Sequence, residues 1–229
     1  MKPFIQKFGI TIYLLILMLH LFAQLLGYTS IQYGSKLVLL PLLMLFFYVQ
    51  PFFASAANSK YLILVGLFGS FLGDAFLLSD ALFIPGMIAF MTTHIFNIIF
   101  FSKIYSLKQP KSTAFKVSSS LLLFFCWFIY FQLKTAIGPL IYPILVYMAL
   151  ICLAALMAIH VSNNKPTKMI ANLFWIPGML FFIASDTVLA FNKFSWSTQS
   201  PIENIGLVTM ATYGIAQLLL VKGFQLYFA

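Results

Sequence analysis

Gly66-Leu67-Phe68-Gly69-Ser70-Phe71-Leu72-Gly73-Asp74-Ala75-Phe76-Leu77-Leu78 is an apolar stretch with one carboxylate inside it. Gly66, Ser70 and Asp74 recur at i, i+4 and i+8, with Gly69 and Gly73 beside them. The spacing predicts a helix with one small, polar face. A small face lets a second helix approach closely. The chain has only four acidic residues, and a charge at the centre of a membrane helix costs about 2.5–3.5 kcal/mol on insertion scales. Asp74 is therefore expected to be partnered, protonated or turned to a wet cavity. The plainer alternative is a tight helix seam with one satisfied acid.

The surrounding composition makes that helix a membrane span. The chain is 62% hydrophobic and 7% charged, with a mean hydropathy of +1.02, which excludes a soluble domain. The net charge of +9 comes from 13 lysines and no arginine, scattered between apolar runs. Such a distribution orients a chain in a bilayer and is unlike a nucleic-acid surface. Cys126 and Cys152 lie inside apolar runs and are expected as free packing cysteines, not as a disulfide. The run from Phe8 to Gly27 follows Lys2 and Lys7, but it is longer than a signal-peptide core and lacks a small-x-small cleavage site, so it is expected to be retained as the first span.

Eight runs approach the roughly twenty residues that a bilayer core requires. They are Phe8–Gly27, Ser35–Phe53, Tyr61–Ser79, Ala81–Phe101, Phe115–Leu133, Pro139–Ile159, Met169–Phe191 and Ile202–Leu226. The expected fold is thus an all-α polytopic domain over residues 1–229, with the third and fourth spans antiparallel neighbours. Cytoplasmic loops are enriched in lysine. With the N-terminus inside, ten lysines fall on the inner side and three, Lys36, Lys134 and Lys193, on the outer. Both termini are therefore expected in the cytoplasm. On this topology Asp74 and Asp186 both fall in the outer half at similar depth. Small-Asp-x-x-Leu recurs in Gly73-Asp74-Ala75-Phe76-Leu77 and Ser185-Asp186-Thr187-Val188-Leu189, four spans apart, which points to a weak parallel repeat of four plus four spans.

The polar residues left inside spans define the candidate site. They include Asp74, Asp186, His94, Asn97, Tyr213, Gln217, Ser70, Ser185 and His20, with Lys36 at the outer end of the second span. His94 and Asn97 share a helix face, as do Tyr213 and Gln217. Interhelical hydrogen bonding is the expected role for His20. His94, Asp74 and Asp186 can supply a minimal metal-ligand set, but no His-x-x-x-His or Glu-x-x-His pair accompanies them. No metal or other cofactor is predicted, and a divalent metal stays open. Gly-x-Ser-x-Gly is absent, which argues against a serine nucleophile. Two carboxylates in low dielectric tend to share one proton, and an acid beside a carboxylate is equipment for cleaving an acetal-like or enol-ether bond.

The ordered residues resemble the YhhN-like family of integral membrane proteins, whose animal members are lysoplasmalogenases. The resemblance runs through Lys36 and Pro41, then Ser70-Phe71-Leu72-Gly73-Asp74-x-x-Leu77, then Phe83, Gly86, Phe90 and His94. It continues in Gly178-x-Leu180-Phe181-x-x-x-Ser185-Asp186-x-x-Leu189-Ala190 and ends on Tyr213-x-x-x-Gln217. The chain departs from the family pattern at Asn97, where Tyr is usual, and at Leu37, where Pro usually follows the lysine. The resemblance implies hydrolysis of the vinyl-ether bond of a lysoplasmalogen to a fatty aldehyde and a glycerophospho-headgroup. The polar residues and the resemblance together make Asp74, Asp186 and His94 the expected catalytic residues and Lys36, Ser70, Asn97, Ser185, Tyr213 and Gln217 the expected supporting or substrate-binding ones. The expected partners are a lysolipid and the bilayer of the cell membrane, with no nucleic acid. The residues themselves leave two rivals open: a proton-coupled lipid or small-molecule carrier, and a packing protein whose acids only join helices.

Overall fold

Apolar runs separated by short polar turns have one way to satisfy their backbone in lipid, the helix. The computed structural model describes residues 2–51, 57–196 and 200–228, and its regular elements are all helical. In chain order they are α1 (Lys2–Leu25), α2 (Thr29–Val49), α3 (Ala57–Phe76), α4 (Phe83–Ile104), α5 (Thr113–Ile137) and α6 (Ile141–Val161). A composite run, α7 (Lys165–Trp196), and α8 (Ile205–Phe228) follow.

Among the described residues, seven helical stretches are long and apolar enough to cross a membrane, where eight were expected. The difference lies in Thr113–Val161, one stretch of 49 residues that holds both α5 and α6. Gly138 breaks it at φ +59, ψ −131, a conformation that a side-chain-bearing residue resists. The 3₁₀ turn Gly138–Leu140 carries Pro139, and α6 then packs back along α5.

Several helices begin earlier than hydropathy indicates. α1 starts at Lys2 and α2 at Thr29, six residues before the expected Phe8 and Ser35. Hydropathy marks the part of a helix that lipid covers, whereas a helix continues through polar residues such as Gln6, Thr29 and Gln32. As a result Lys36 lies two turns inside α2, not at its start. α3 ends at Phe76, before the expected Ser79, which puts Asp74 in its last turn. The expected end of the second span, Phe53, lies outside the described residues.

Burial is inverted relative to a water-soluble domain. Leu123, Phe124 and Tyr142 are exposed, while Asp74, His94, Asn97 and Gln217 are buried. Lipid solvates the first group, and the second must find partners inside the protein. The chain is a multi-pass membrane protein.

Its contacts fall into two compact units, Met1–Phe100 with Leu218–Ala229, and Phe101–Gln217. In the first unit, Phe100 meets Phe224 and Tyr227 edge to face, with centroids 5.1 and 5.4 Å apart. Lys60 Nζ donates to the Tyr48 carbonyl at 2.7 Å, satisfying an orphan acceptor at the end of α2. In the second unit, Trp175 is fully buried against Phe101. His160 Nε2 donates to the Ser106 carbonyl at 3.1 Å, holding the end of α6 to the turn before α5.

The glycines of α3 work as the small face requires. A Cβ on Gly73 would lie 2.5–2.7 Å from the Phe90 ring, and one on Gly69 would lie 2.9 Å from the Ala89 carbonyl. α3 and α4 are thus close neighbours, as the short turn demanded. Gly73→Val should force the two helices apart, cost the stability typical of overpacking, about 1–3 kcal/mol, and so lower the thermal midpoint. A thermal melt of the detergent-solubilised variant checks this, and an unchanged midpoint would show that the Phe90 ring yields freely.

Candidate functional site

Two contacts at opposite ends show that α2 and α3 run antiparallel. Lys60 reaches Tyr48 at one end, and Lys36 reaches Asp74 at the other. Asp74 sits where the last carbonyls of α3 make the negative end of the helix dipole, an unfavourable place for an anion. Lys36 Nζ, 3.8 Å from Asp74 Oδ1, offsets that. The two side chains are 16% and 4% exposed, so water screens the pair weakly. The separation is longer than the 2.7–2.9 Å of a tight charge-assisted bond. The ammonium therefore keeps donors for another group.

α1 completes this corner. Tyr13 is fully buried and within electrostatic reach of Asp74. Further along the same face, His20 Nδ1 lies 3.1 Å from the Gln32 carbonyl and 2.9 Å from Ser35 Oγ. A carbonyl only accepts, so Nδ1 carries the proton. Ser35 in turn donates to the Ile31 carbonyl at 2.5 Å. His20 thus joins α1 to α2, the interhelical role expected of it, and it clamps the turn from which Lys36 projects.

One helical turn before Asp74, Ser70 is committed to the seam. Thr93 Oγ1 donates to the Gly66 carbonyl at 2.9 Å, so the 2.9 Å contact between Ser70 and Thr93 has Ser70 as donor. Thr93→Val should leave the Gly66 carbonyl and Ser70 hydroxyl short of a partner and cost about 1–2 kcal/mol. Denaturant titration of the variant reads that loss, and no shift in its midpoint would refute the linkage. His94 and Asn97 follow Thr93 on α4 and are buried at 0% and 4% exposure.

The second unit holds the remaining candidates. The Asp186 carboxylate of α7 accepts a hydrogen bond from the Tyr147 hydroxyl of α6. Ser185 Oγ donates to the Thr209 carbonyl of α8 at 3.0 Å. Tyr213 is buried with its ring perpendicular to Phe182, and Gln217 is buried too. Asp186 lies between two π-helical segments, Ala171–Trp175 and Asn192–Trp196, a distortion frequent near functional sites. Asp74 and Asp186 therefore each have a partner within their own unit, Lys36 for one and Tyr147 for the other.

Lys36 was expected at the outer rim; it reaches the carboxylate because α2 begins earlier. Sequence reasoning missed Tyr13 and Tyr147. Tyr13 could have been found, since Tyr13, Leu17 and His20 fall at i, i+4 and i+7 on one face of an otherwise apolar helix. Tyr147 carried no such signal, because its mate is 39 positions away. Among the described residues no group of three or more His, Cys, Asp or Glu side chains converges.

Comparison with known proteins adds a family. The sequence model of the YhhN family matches residues 31–224, a range that contains every candidate above except Tyr13 and His20. Over 174 residues the chain is 30% identical to the human lysoplasmalogenase TMEM86A, which covers 73% of this chain. The chain spans 66% of the human protein's length. No solved structure matches the chain.

Proposed function

The chain belongs to the YhhN family, and from that premise we propose that it is a membrane hydrolase cleaving the vinyl-ether bond of a lysoplasmalogen-type lysolipid. The single observation that carries the reading is the buried Lys36–Asp74 pair, a cation and a carboxylate held side by side in a protein otherwise poor in charge. The human relative's name supplies the reaction class.

The substrate has the form R–O–CH=CH–R′, with R the glycerophospho part and R′ the alkyl tail. Asp74 in its acid form donates a proton to the carbon distal to the ether oxygen, leaving an oxocarbenium ion. Lys36 stabilises the carboxylate left behind, so the charge pair forms as the proton departs to the substrate carbon. That carboxylate then takes a proton from the attacking water, and the hemiacetal collapses to R–OH and the aldehyde. One water is consumed and Asp74 is restored, the acid-to-base alternation of general catalysis. The spare donors of Lys36 suit a substrate phosphate. His94 assists proton transfer or holds the water. Within the second unit, Asp186, held by Tyr147, and the buried Tyr213 are the candidate acid–base groups.

Counting α5 and α6 as separate crossings, since the chain turns back at Gly138, gives eight spans and puts both termini on one side. The lysine distribution assigns that side to the cytoplasm. The Asp74 end of α3 then faces the outer leaflet of the cell membrane, from which a one-chain lipid can enter.

Aldehyde release from a lysoplasmalogen by purified, chelator-treated protein tests the proposal. Release supports it and makes the chemistry independent of added metal. No release, with or without restored divalent metal, would defeat it. The interrupted run α7 favours a second reading, a proton-coupled lipid carrier; lysolipid uptake into liposomes without aldehyde would establish that one instead.

A further inference from the structure

The turn at Gly138 brings together two thiols that the proposed hydrolysis does not use. Cys126 of α5 and Cys152 of α6 are free, and their Sγ atoms lie 3.3 Å apart. A disulfide needs a separation of about 2.05 Å, so a closure of little more than an ångström joins them, within reach of side-chain rotation on two helices already packed together. The two sulfurs differ in access. Cys152 is buried, whereas Cys126 is half-buried and lines a cavity of 380 Å³. Trp127, Tyr130, Ile141, Tyr142 and Leu145 form the rest of its wall. Trp127 and Tyr142 are largely exposed on a membrane protein's surface, so the cavity opens toward lipid.

Charged aqueous oxidants such as glutathione disulfide are poorly soluble in that setting. A flat, lipid-soluble ring suits this open groove, because its aromatic walls offer stacking faces. We propose that Cys126 and Cys152 are a redox-active dithiol, oxidised reversibly to a disulfide by a lipid-soluble quinone seated in this cavity. In the reaction two S–H bonds break and one S–S bond forms. The two electrons and two protons pass to the quinone oxygens, giving the hydroquinone. Cys126 lines the cavity and meets the oxidant, and Cys152 behind it supplies the second sulfur of the new bond. The resulting cross-link ties α5 to α6 across the Gly138 turn.

The test uses the full-length reduced protein in detergent with decylubiquinone, a fully substituted ring that resists thiol addition. Thiols are counted by maleimide labelling and intact mass, and hydroquinone by absorbance. The wild-type chain should lose both labelled thiols, remain monomeric on non-reducing gels, form one hydroquinone per protein and regain both thiols with dithiothreitol. Cys126→Ser and Cys152→Ser should each form none; their thermal melts establish that they fold. Trp127→Ala should slow oxidation by the quinone several-fold while leaving oxidation by diamide unchanged. Retention of both thiols by the wild-type chain, cross-linked dimers in place of an internal bond, or equal slowing of the two oxidants in Trp127→Ala would each overturn the proposal.

Discussion

Purified Asp74→Asn is expected to release aldehyde about 10²–10⁴-fold more slowly than the wild-type chain, the usual contribution of a positioned acid or base, while eluting as a folded protein. The amide keeps the size of the carboxyl group and can neither donate the proton to the vinyl ether nor accept one from water. Lys36 remains behind without its counter-charge, so some thermal stability should also be lost. That loss must be separated from the catalytic one. Lys36→Met combined with Asp74→Asn removes the stranded ammonium and should recover stability without recovering turnover. If Asp74→Asn alone kept wild-type aldehyde release, the carboxylate would be a packing device and the mechanism proposed for it would be wrong.

Lys36→Met alone should be the most destabilising single change at this corner. Removing one partner of a buried ion pair costs about 3–5 kcal/mol, because the other group loses its counter-charge in low dielectric. The Asp74 side chain is only 4% exposed and lies at the negative end of its helix, so water does little to replace the ammonium. A compensating Asp74→Leu in the same chain should restore much of the loss, since replacing both members of such a pair with apolar groups is often neutral. Thermal melts of the two single variants and the double form a cycle whose coupling term measures the pair. Additive losses would mean that the 3.8 Å contact carries no interaction.

These expectations rest on a part of the molecule that was only half visible in the sequence. The face made by Gly66, Gly69, Ser70, Gly73 and Asp74 was legible because helical periodicity is local: residues three and four apart must share a face whatever surrounds them. Its closeness to α4 followed from the same small residues and the short turn. The membrane setting was equally plain, because long apolar runs with four acids in the whole chain admit no water-soluble core.

Partners were a different matter. That Asp74 would be partnered, protonated or turned to a wet cavity was predictable, but Lys36 emerged as its partner only through the true start of α2 and the antiparallel packing of α2 on α3. Hydropathy detects what lipid covers and is blind to the polar turn by which a helix overshoots it. Tyr147 reaching Asp186, and Cys126 meeting Cys152, depend on which faces of separate helices turn toward each other. The sequence by itself determined the helices, their lipid-facing character and the residues too polar to leave unpartnered. Only the tertiary structure decided who partners them, because rotation and register between helices are set by packing summed over many side chains, and no local stretch of chain encodes that sum.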